Sequence, residues 1–426
     1  MNIDGADDRM AFGAGSRLRS VLALATLAMV GLSWPLWVER SEFPRVPFLA
    51  SLPGFPPSIA WGVFAGLIVT LIATAGGIAW RISLSMAIGL LLLLVLQDQE
   101  RFQPWVYQFG VLGLVLVLAP GATGLRLVRW WFIGVYLHSG LSKLDISFVN
   151  ELGSLFLQTA MRPLRLDSQA WSNQARVAAI LAMPAAEIIV AILLAIPKTR
   201  LVGMGGAMLV HLTLLGILGP FGLNHSTIVL VWNTAMLAEV YLVFRPDLRR
   251  LGLETSTRKV PTRLAAGLLI IVLTLPFGER WGWVDTWPAH ALYASHVERT
   301  EVYLHESEVA LWPKSIRDHV LPSLLGEWRR LDLTGWSREL RGVPIYPQGR
   351  ACNGLAEALA ARYGGRRLIR VIRWGPADRW TGARSRTEMF GLAAIRSEGD
   401  RYLLNAHPAG SFLRDGGGDN EAGHVP

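Results

Sequence analysis

Nine apolar runs separated by polar loops occupy residues 21–277 of the chain. They lie at 21–38, 58–75, 82–96, 105–120, 127–144, 177–196, 201–219, 227–244 and 264–277. A helix needs about 20 apolar residues to cross the roughly 30 Å hydrocarbon core of a bilayer, and several runs are near the lower length limit. The pattern predicts an all-α polytopic membrane helical bundle of about nine helices.

The first apolar run follows a short basic segment, so a cleaved signal peptide is an alternative interpretation of it. No small-residue cleavage site follows the run, and Trp34 and Trp37 suit the aromatic belt at a membrane surface. We therefore interpret 21–38 as a retained helix. A polar segment at 1–20, which we expect to be loosely ordered, precedes it.

The character of the sequence changes at 278, where charged residues become frequent. TEVYLHES (300–307) and RRLIRVIRW (366–374) alternate in the manner of strands, and EALAARYGG (357–365) is typical of a helix that ends at Gly364. These patterns predict a small extramembrane α+β domain at 278–412. The glycine-rich tail at 413–426 is expected to be disordered.

Composition and charge support the same organisation. The chain has 426 residues, 52% hydrophobic and 17% charged, whereas soluble domains are usually about 25% charged. Much of the net charge of +9 lies in short loops, where Arg and Lys set topology, so nucleic-acid binding is not indicated. The excess of Arg and Lys in alternate loops predicts a cytoplasmic N-terminus and an extracytoplasmic C-terminal domain. We accordingly expect a multi-pass protein of the cell (plasma) membrane. Cys352, the only cysteine, excludes an intrachain disulfide and a cysteine-based metal site, and no metal motif is present.

One apolar helix, predicted over Trp130–Asp145, carries an unusual set of polar residues. At about 100° per residue, Tyr136, Ser139 and Lys143 share one stripe of this helix, and His138 lies on another. An ionisable group inside a membrane helix costs several kcal/mol and therefore suggests a function. The alternative is that Lys143, near a helix end, merely extends to the lipid headgroups.

Three other polar residues are candidate catalytic residues of the same site: His138, Asp98 and Arg101. Asp98 and Arg101 lie in a polar loop between two runs and are expected to face the crevice that holds Lys143. A mixed polar and apolar connector at 147–171 predicts an amphipathic helix on the membrane surface, which could cover the end of the Lys143 helix.

Two later apolar runs carry ionisable residues near their centres, Glu187 and His211. An unpaired carboxylate in the bilayer is costly, so we expect an intramembrane Glu187–His211 pair, which could relay a proton or simply hold helices together. Asn233 and His225, together with Tyr136 and Ser139, are candidates for binding a small molecule.

The segment YLHSGLSKLDISFV resembles the pattern Tyr-x-x-x-Gly-x-x-Lys-Leu of the horizontally transferred transmembrane (HTTM) family, which includes the vitamin K-dependent gamma-carboxylases. The matching positions are Tyr136, Gly140, Lys143, Leu144 and Asp145. The resemblance extends loosely over 15–277. It implies that Lys143 is a base that deprotonates a reduced quinone. The chain departs from the carboxylases at 97–108, where their Asn-His pair is replaced by a segment without histidine.

Two hypotheses about function follow. The first is a membrane enzyme that uses Lys143 as a general base on a lipid-soluble or quinone-like substrate at the outer face. The second is a non-catalytic anchor that presents a C-terminal domain to a protein partner, because a short Gly-Leu-x-Lys-Leu motif also occurs in DoxX-like membrane proteins. In both, the lipid bilayer is a partner; the cofactor is unknown, with a quinone-like or other lipid-soluble molecule as the candidate.

Overall fold

The computed structural model describes residues 3–38, 43–119, 121–245, 259–322, 326–363 and 368–410. The N-terminal two thirds of this part is helical, and the C-terminal third contains a small antiparallel sheet. Its first twelve helices are α1 (Ile3–Leu32), α2 (Trp34–Trp37), α3 (Pro57–Gly76), α4 (Trp80–Gln97), α5 (Pro104–Leu118), α6 (Ala122–Ser142), α7 (Ile146–Asn150), α8 (Leu152–Met161), α9 (Asn173–Ala195), α10 (Arg200–Leu218), α11 (Thr227–Phe244) and α12 (Lys259–Thr274).

Seven of the described helices are long and apolar enough to cross a membrane, compared with the nine or so expected: α1, α3, α4, α9, α10, α11 and α12 with the 3₁₀ turn that follows it. The difference lies in two helices. α5 has only 15 residues, and α6 carries Arg126, Arg129 and the polar residues of its last turns. Both nevertheless pack inside the bundle, α5 against α1 and α4, and α6 along α9. The protein is therefore a helical bundle with the composition of a multi-pass membrane protein.

The N-terminal segment differs from the expectation of loose order, because α1 is helical from Ile3 onward. α1 packs against α3, α5 and α11 and thus lies at the centre of the bundle. Its buried side chains, such as Leu18 and Leu22, join the main apolar core. The core of the bundle therefore extends into a segment whose sequence appears polar.

The connector after α6 forms two short helices, α7 and α8, where one amphipathic helix was predicted. Phe148 and Phe156 are buried against the bundle, whereas Leu155, Leu164 and Leu166 are exposed. The helices thus have an apolar side that faces the protein, where α7 packs against α9 and α8 packs against α9 and α10.

The C-terminal domain has a four-stranded antiparallel sheet in the order β2-β1-β3-β4. Its elements are β1 (Arg299–His305), α13 (Glu306–Val309), α14 (Lys314–Arg317), β2 (Trp328–Leu331), α15 (Leu333–Arg341), α16 (Gly349–Arg362), β3 (Ile369–Trp374), β4 (Arg386–Phe390) and α17 (Gly391–Gly399). The two predicted strands are β1 and β3, and the predicted helix is α16, which begins eight residues earlier than expected. The predicted helix end at Gly364 and the tail at 413–426 lie outside the described residues.

This domain rests on one end of the bundle, where it contacts several interhelical loops. Arg341 Nη2 lies 2.6 Å from Asp98 Oδ2, and Ser226 Oγ donates to the carbonyl of Gly342 at 3.1 Å. Arg350 Nε donates to Oε1 of Gln99 at 2.9 Å. Because these groups are largely buried, bundle and domain form a continuous structure at this end.

Candidate functional site

Lys143 follows the last residue of α6, and its side chain turns inward. Its Nζ lies 2.8 Å and 3.0 Å from the two carboxylate oxygens of Glu187, and it donates to Oγ of Ser139 at 2.6 Å. The side chains of Lys143 and Glu187 are only 6% and 13% exposed. The ammonium group is thus held within the bundle by a carboxylate, which does not fit the alternative that it extends to lipid headgroups.

A glycine lets α6 and α9 approach closely enough for this ion pair. A Cβ atom at Gly140 would lie 2.8 Å from the carbonyl oxygen of Pro184 and 2.7 Å from Ile188. Such distances are shorter than van der Waals contact, so only glycine fits without a shift of the helices. The Tyr-x-x-x-Gly-x-x-Lys spacing therefore has a structural reason: Gly140 sets the distance from Lys143 to Glu187.

A second polar group, about two turns earlier on the same face of α6, connects α6, α10 and α11. Tyr136 OH lies 2.8 Å from Nε2 of His211, and Nδ1 of His211 lies 2.9 Å from Oδ1 of Asn233. The amide nitrogen of Asn233 donates to the carbonyl of Val229 at 2.9 Å. Because an amide oxygen only accepts, His211 carries its proton on Nδ1, and Nε2 accepts from the hydroxyl of Tyr136.

The expected Glu187–His211 pair is therefore not present. Glu187 binds Lys143 on α6, and His211 lies between Tyr136 and Asn233. Each of the two buried groups does have a polar partner, as the cost of an unpaired group requires. The partners differ from the predicted ones because the polar stripe of α6 lies beside both Glu187 and His211.

Both polar groups face one cavity of about 590 Å³ between α6, α9, α10 and α11. Most of its wall is apolar, with contributions from α7, α8 and the segment that enters the C-terminal domain. Its polar side chains are Tyr136, Ser139, Lys143, Glu187, His211, Thr213, Trp232, Asn233 and Tyr293. The site is therefore suited to a largely apolar molecule with a small polar end.

The cavity opens sideways between α9 and α10. Ala182, Ala186, Ile189 and Leu209 line the cavity and are also exposed on the outside of these two helices. α9 and α10 are among the helices able to cross a membrane, so their exposed apolar faces would meet lipid chains. A molecule dissolved in the bilayer could thus reach Lys143 without crossing water.

Two predicted site residues lie elsewhere, so the expectation for Asp98 and Arg101 was wrong. Asp98 is paired with Arg341 of the C-terminal domain. Arg101 donates to the carbonyls of Leu36 at 2.8 Å and Leu94 at 3.0 Å. The reason is local: residues 99–101 form a 3₁₀ turn that directs this loop toward the domain.

His138, a catalytic candidate from the sequence, also points away from the cavity. Its Nε2 lies 2.9 Å from the carbonyl oxygen of Leu273, and its ring packs edge-on against Phe277 at 4.8 Å. Since Lys143 and His138 lie on different faces of α6, the helix directs one to α9 and the other to α12. His138 therefore joins helices and does not contact the site.

His225 lines a second cleft, of about 380 Å³, between the bundle and the C-terminal domain. Its Nε2 lies 3.1 Å from Nη2 of Arg338, and burial together with the charge of Arg338 lowers the pKa of His225 to about 4. His225 is thus neutral near pH 7 and accepts from Arg338. Trp232 and Tyr293 line both the cleft and the cavity, so the two spaces are neighbours.

Several side chains of the site were not expected from the sequence. Phe148 and Phe156 of the connector and Tyr293 of the domain entry line the cavity, and no regular spacing connects them with Lys143. Only the apolar positions of the connector hinted at such a role. No protein-family model, curated protein or solved structure matches the chain.

Proposed function

We propose that the chain is a multi-pass membrane enzyme that takes a lipophilic substrate from the bilayer and removes a proton from it with Lys143. The observation that carries the proposal is the Lys143–Glu187 pair in an apolar cavity that opens between two membrane-type helices. A structural pair needs no cavity beside it, whereas a base must be reachable by its substrate.

The ion pair can produce a neutral lysine within the site. The proton of Lys143 Nζ passes to Oε2 of Glu187 along the 2.8 Å hydrogen bond. The neutral amine then accepts a proton from an acidic hydroxyl of the substrate. The products are the substrate anion, the ammonium of Lys143 and the carboxylic acid of Glu187, so one proton has moved and charge is conserved. The ammonium remains beside the new anion and stabilises it.

Tyr136 is a positioning residue in this scheme. Its hydroxyl proton is directed toward His211, which leaves a lone pair of the oxygen free to accept from a substrate hydroxyl. Asn233 holds His211 in the required tautomer. The polar end of the substrate would then lie between Tyr136 and Lys143.

The resemblance to the HTTM family makes a reduced quinone the first substrate to test. The dimensions and apolar wall of the cavity suit a fused ring with a hydrocarbon tail. We further propose that the protein lies in the cell membrane with its N-terminus in the cytoplasm and the C-terminal domain outside, as the Arg and Lys distribution favours.

The proposal is tested with purified protein in lipid nanodiscs and a reduced naphthoquinone with an isoprenoid tail. Deprotonation accelerates the reaction of the quinol with oxygen to quinone and hydrogen peroxide, so oxygen uptake is the readout. Wild type should accelerate uptake. Lys143→Ala and Lys143→Arg should not, because arginine does not release its proton.

Lys314→Ala, which changes an exposed lysine of the C-terminal domain, is the matched control and should behave as wild type. Full activity of Lys143→Arg would exclude the general base. Binding of the quinol, seen as a thermal shift, without faster oxygen uptake would exclude this chemistry. Absence of binding would favour the anchor hypothesis.

A further inference from the structure

A rigid turn of the C-terminal domain presents an exposed tryptophan. The side chain of Asp378 accepts from the backbone N–H groups of Trp380 at 3.0 Å and Thr381 at 2.8 Å. Gly382 closes the turn at φ 70°, a conformation that favours glycine. Trp380 at its tip is 78% exposed. The turn therefore holds a large apolar side chain away from the domain core by its own hydrogen bonds.

The turn lies beside the ends of two bundle helices. The N–H of Ile146 donates to the carbonyl of Arg379 at 3.0 Å. Ile146 directly follows Asp145, which lies just after the end of α6. Asp145 in turn lies 2.9 Å from Nη2 of Arg280, in the 3₁₀ turn that ends α12. A hydrogen bond and an ion pair therefore connect the turn that carries Trp380 to the ends of α6 and α12, where these helices leave the apolar part of the bundle.

Two more exposed tryptophans mark this level. Trp281 and Trp283 are 70% and 79% exposed, and their ring centroids lie 5.6 Å apart. Single exposed aromatic residues are common on soluble surfaces, but tryptophans grouped at the ends of apolar helices are typical of the boundary between membrane and water. The indole ring suits this region because it is apolar and also has an N–H that binds water or lipid oxygens.

Positive charge accompanies the aromatic side chains. The guanidinium of Arg379 lies 6.0 Å from the ring centre of Trp380. Arginine next to tryptophan at this depth can bind lipid phosphate while the ring contacts the upper part of the chains.

We propose that the 378–382 turn is a membrane contact of the C-terminal domain: Trp380 and Arg379 enter the headgroup layer of the same bilayer that holds the bundle. The partner is the lipid surface. The domain is then held to the membrane at two places, by its contacts with the loops of the bundle and by this turn, independently of any reaction at Lys143.

The full-length protein allows a direct test, because its only cysteine, Cys352, is buried. Trp380→Cys carries an environment-sensitive fluorophore in nanodiscs that contain lipids with a nitroxide near the headgroup. We expect strong quenching of the fluorophore by these lipids and a blue shift of its emission relative to the denatured protein. Trp281→Cys is the positive control.

Leu311→Cys is the matched negative control, since Leu311 is 75% exposed and follows the far end of β1. That strand starts at Arg299, which contacts Glu151 of the bundle, and extends about 20 Å from there. A fluorophore at position 311 should be quenched by aqueous iodide and not by the lipid nitroxide. Iodide quenching at 380 equal to that at 311 would overturn the proposal. Protection at 380 from both quenchers would also overturn it, because it indicates a protein contact.

Discussion

Nδ1 of His296 lies 3.0 Å from Oδ2 of Asp145, although the two residues are 151 positions apart in the chain. On its other side, Nε2 of His296 lies 2.9 Å from a carboxylate oxygen of Glu279. Since ionised carboxylates only accept, a histidine between two of them carries protons on both nitrogens. A buried imidazolium therefore connects the end of α6, the turn after α12 and the entry to the C-terminal domain.

This histidine should make stability depend on pH. Burial by itself lowers the pKa of His296, but the hydrogen bonds to Asp145 and Glu279 outweigh burial and raise the pKa above 6.5. A raised pKa means that the folded state holds the proton more tightly than the unfolded state. The stabilisation is complete below pH 6.5 and is lost as pH rises through the folded pKa.

The measurement is the melting temperature of wild type and His296→Gln in detergent at several pH values. The advantage of wild type should be largest in mildly acidic buffer and should shrink in alkaline buffer, because glutamine does not titrate. His305→Gln, in the outer part of the domain, is the control and should show a smaller change. A wild-type advantage that is constant over the whole pH range would contradict the charged histidine.

The Lys143–Glu187 pair should show strong coupling in stability. Removing one partner leaves the other charge buried without compensation, which typically costs about 3–5 kcal/mol. We expect Glu187→Ala to lower the free energy of unfolding by this order. The double variant Lys143→Met with Glu187→Leu should recover most of the loss, since neither charge remains. Equal losses in the single and double variants, measured by detergent unfolding, would show that the pair is not coupled.

The side opening of the cavity can be blocked without touching its polar groups. Ala186 lines the opening on α9 and is exposed, so Ala186→Phe should obstruct the entry of a bulky lipophile. Ile192 lies on the same helix, is exposed and does not line the cavity, so Ile192→Phe is the matched control. We expect a slower association of the quinol with Ala186→Phe only, measured as the rate of tryptophan quenching. Unchanged rates in both variants would place the entry elsewhere.

Periodicity and residue type predicted much of the architecture. The apolar runs became helices because a chain in an apolar environment must satisfy its backbone hydrogen bonds internally. Alternation over 300–307 and 366–374 gave β1 and β3, since one face of each strand is buried in the domain core. The spacing of Tyr136, Ser139 and Lys143 placed them on one face of α6, and all three line the cavity.

Only the tertiary structure decided the partners. Lys143 meets Glu187, and not the charged loop at Asp98, because Gly140 lets α6 approach α9, whereas the turn at 99–101 directs Asp98 toward Arg341. The rotation of a helix about its axis and its distance from its neighbours depend on side chains of other segments. Local periodicity therefore determines which residues share a face, and long-range packing determines what that face contacts.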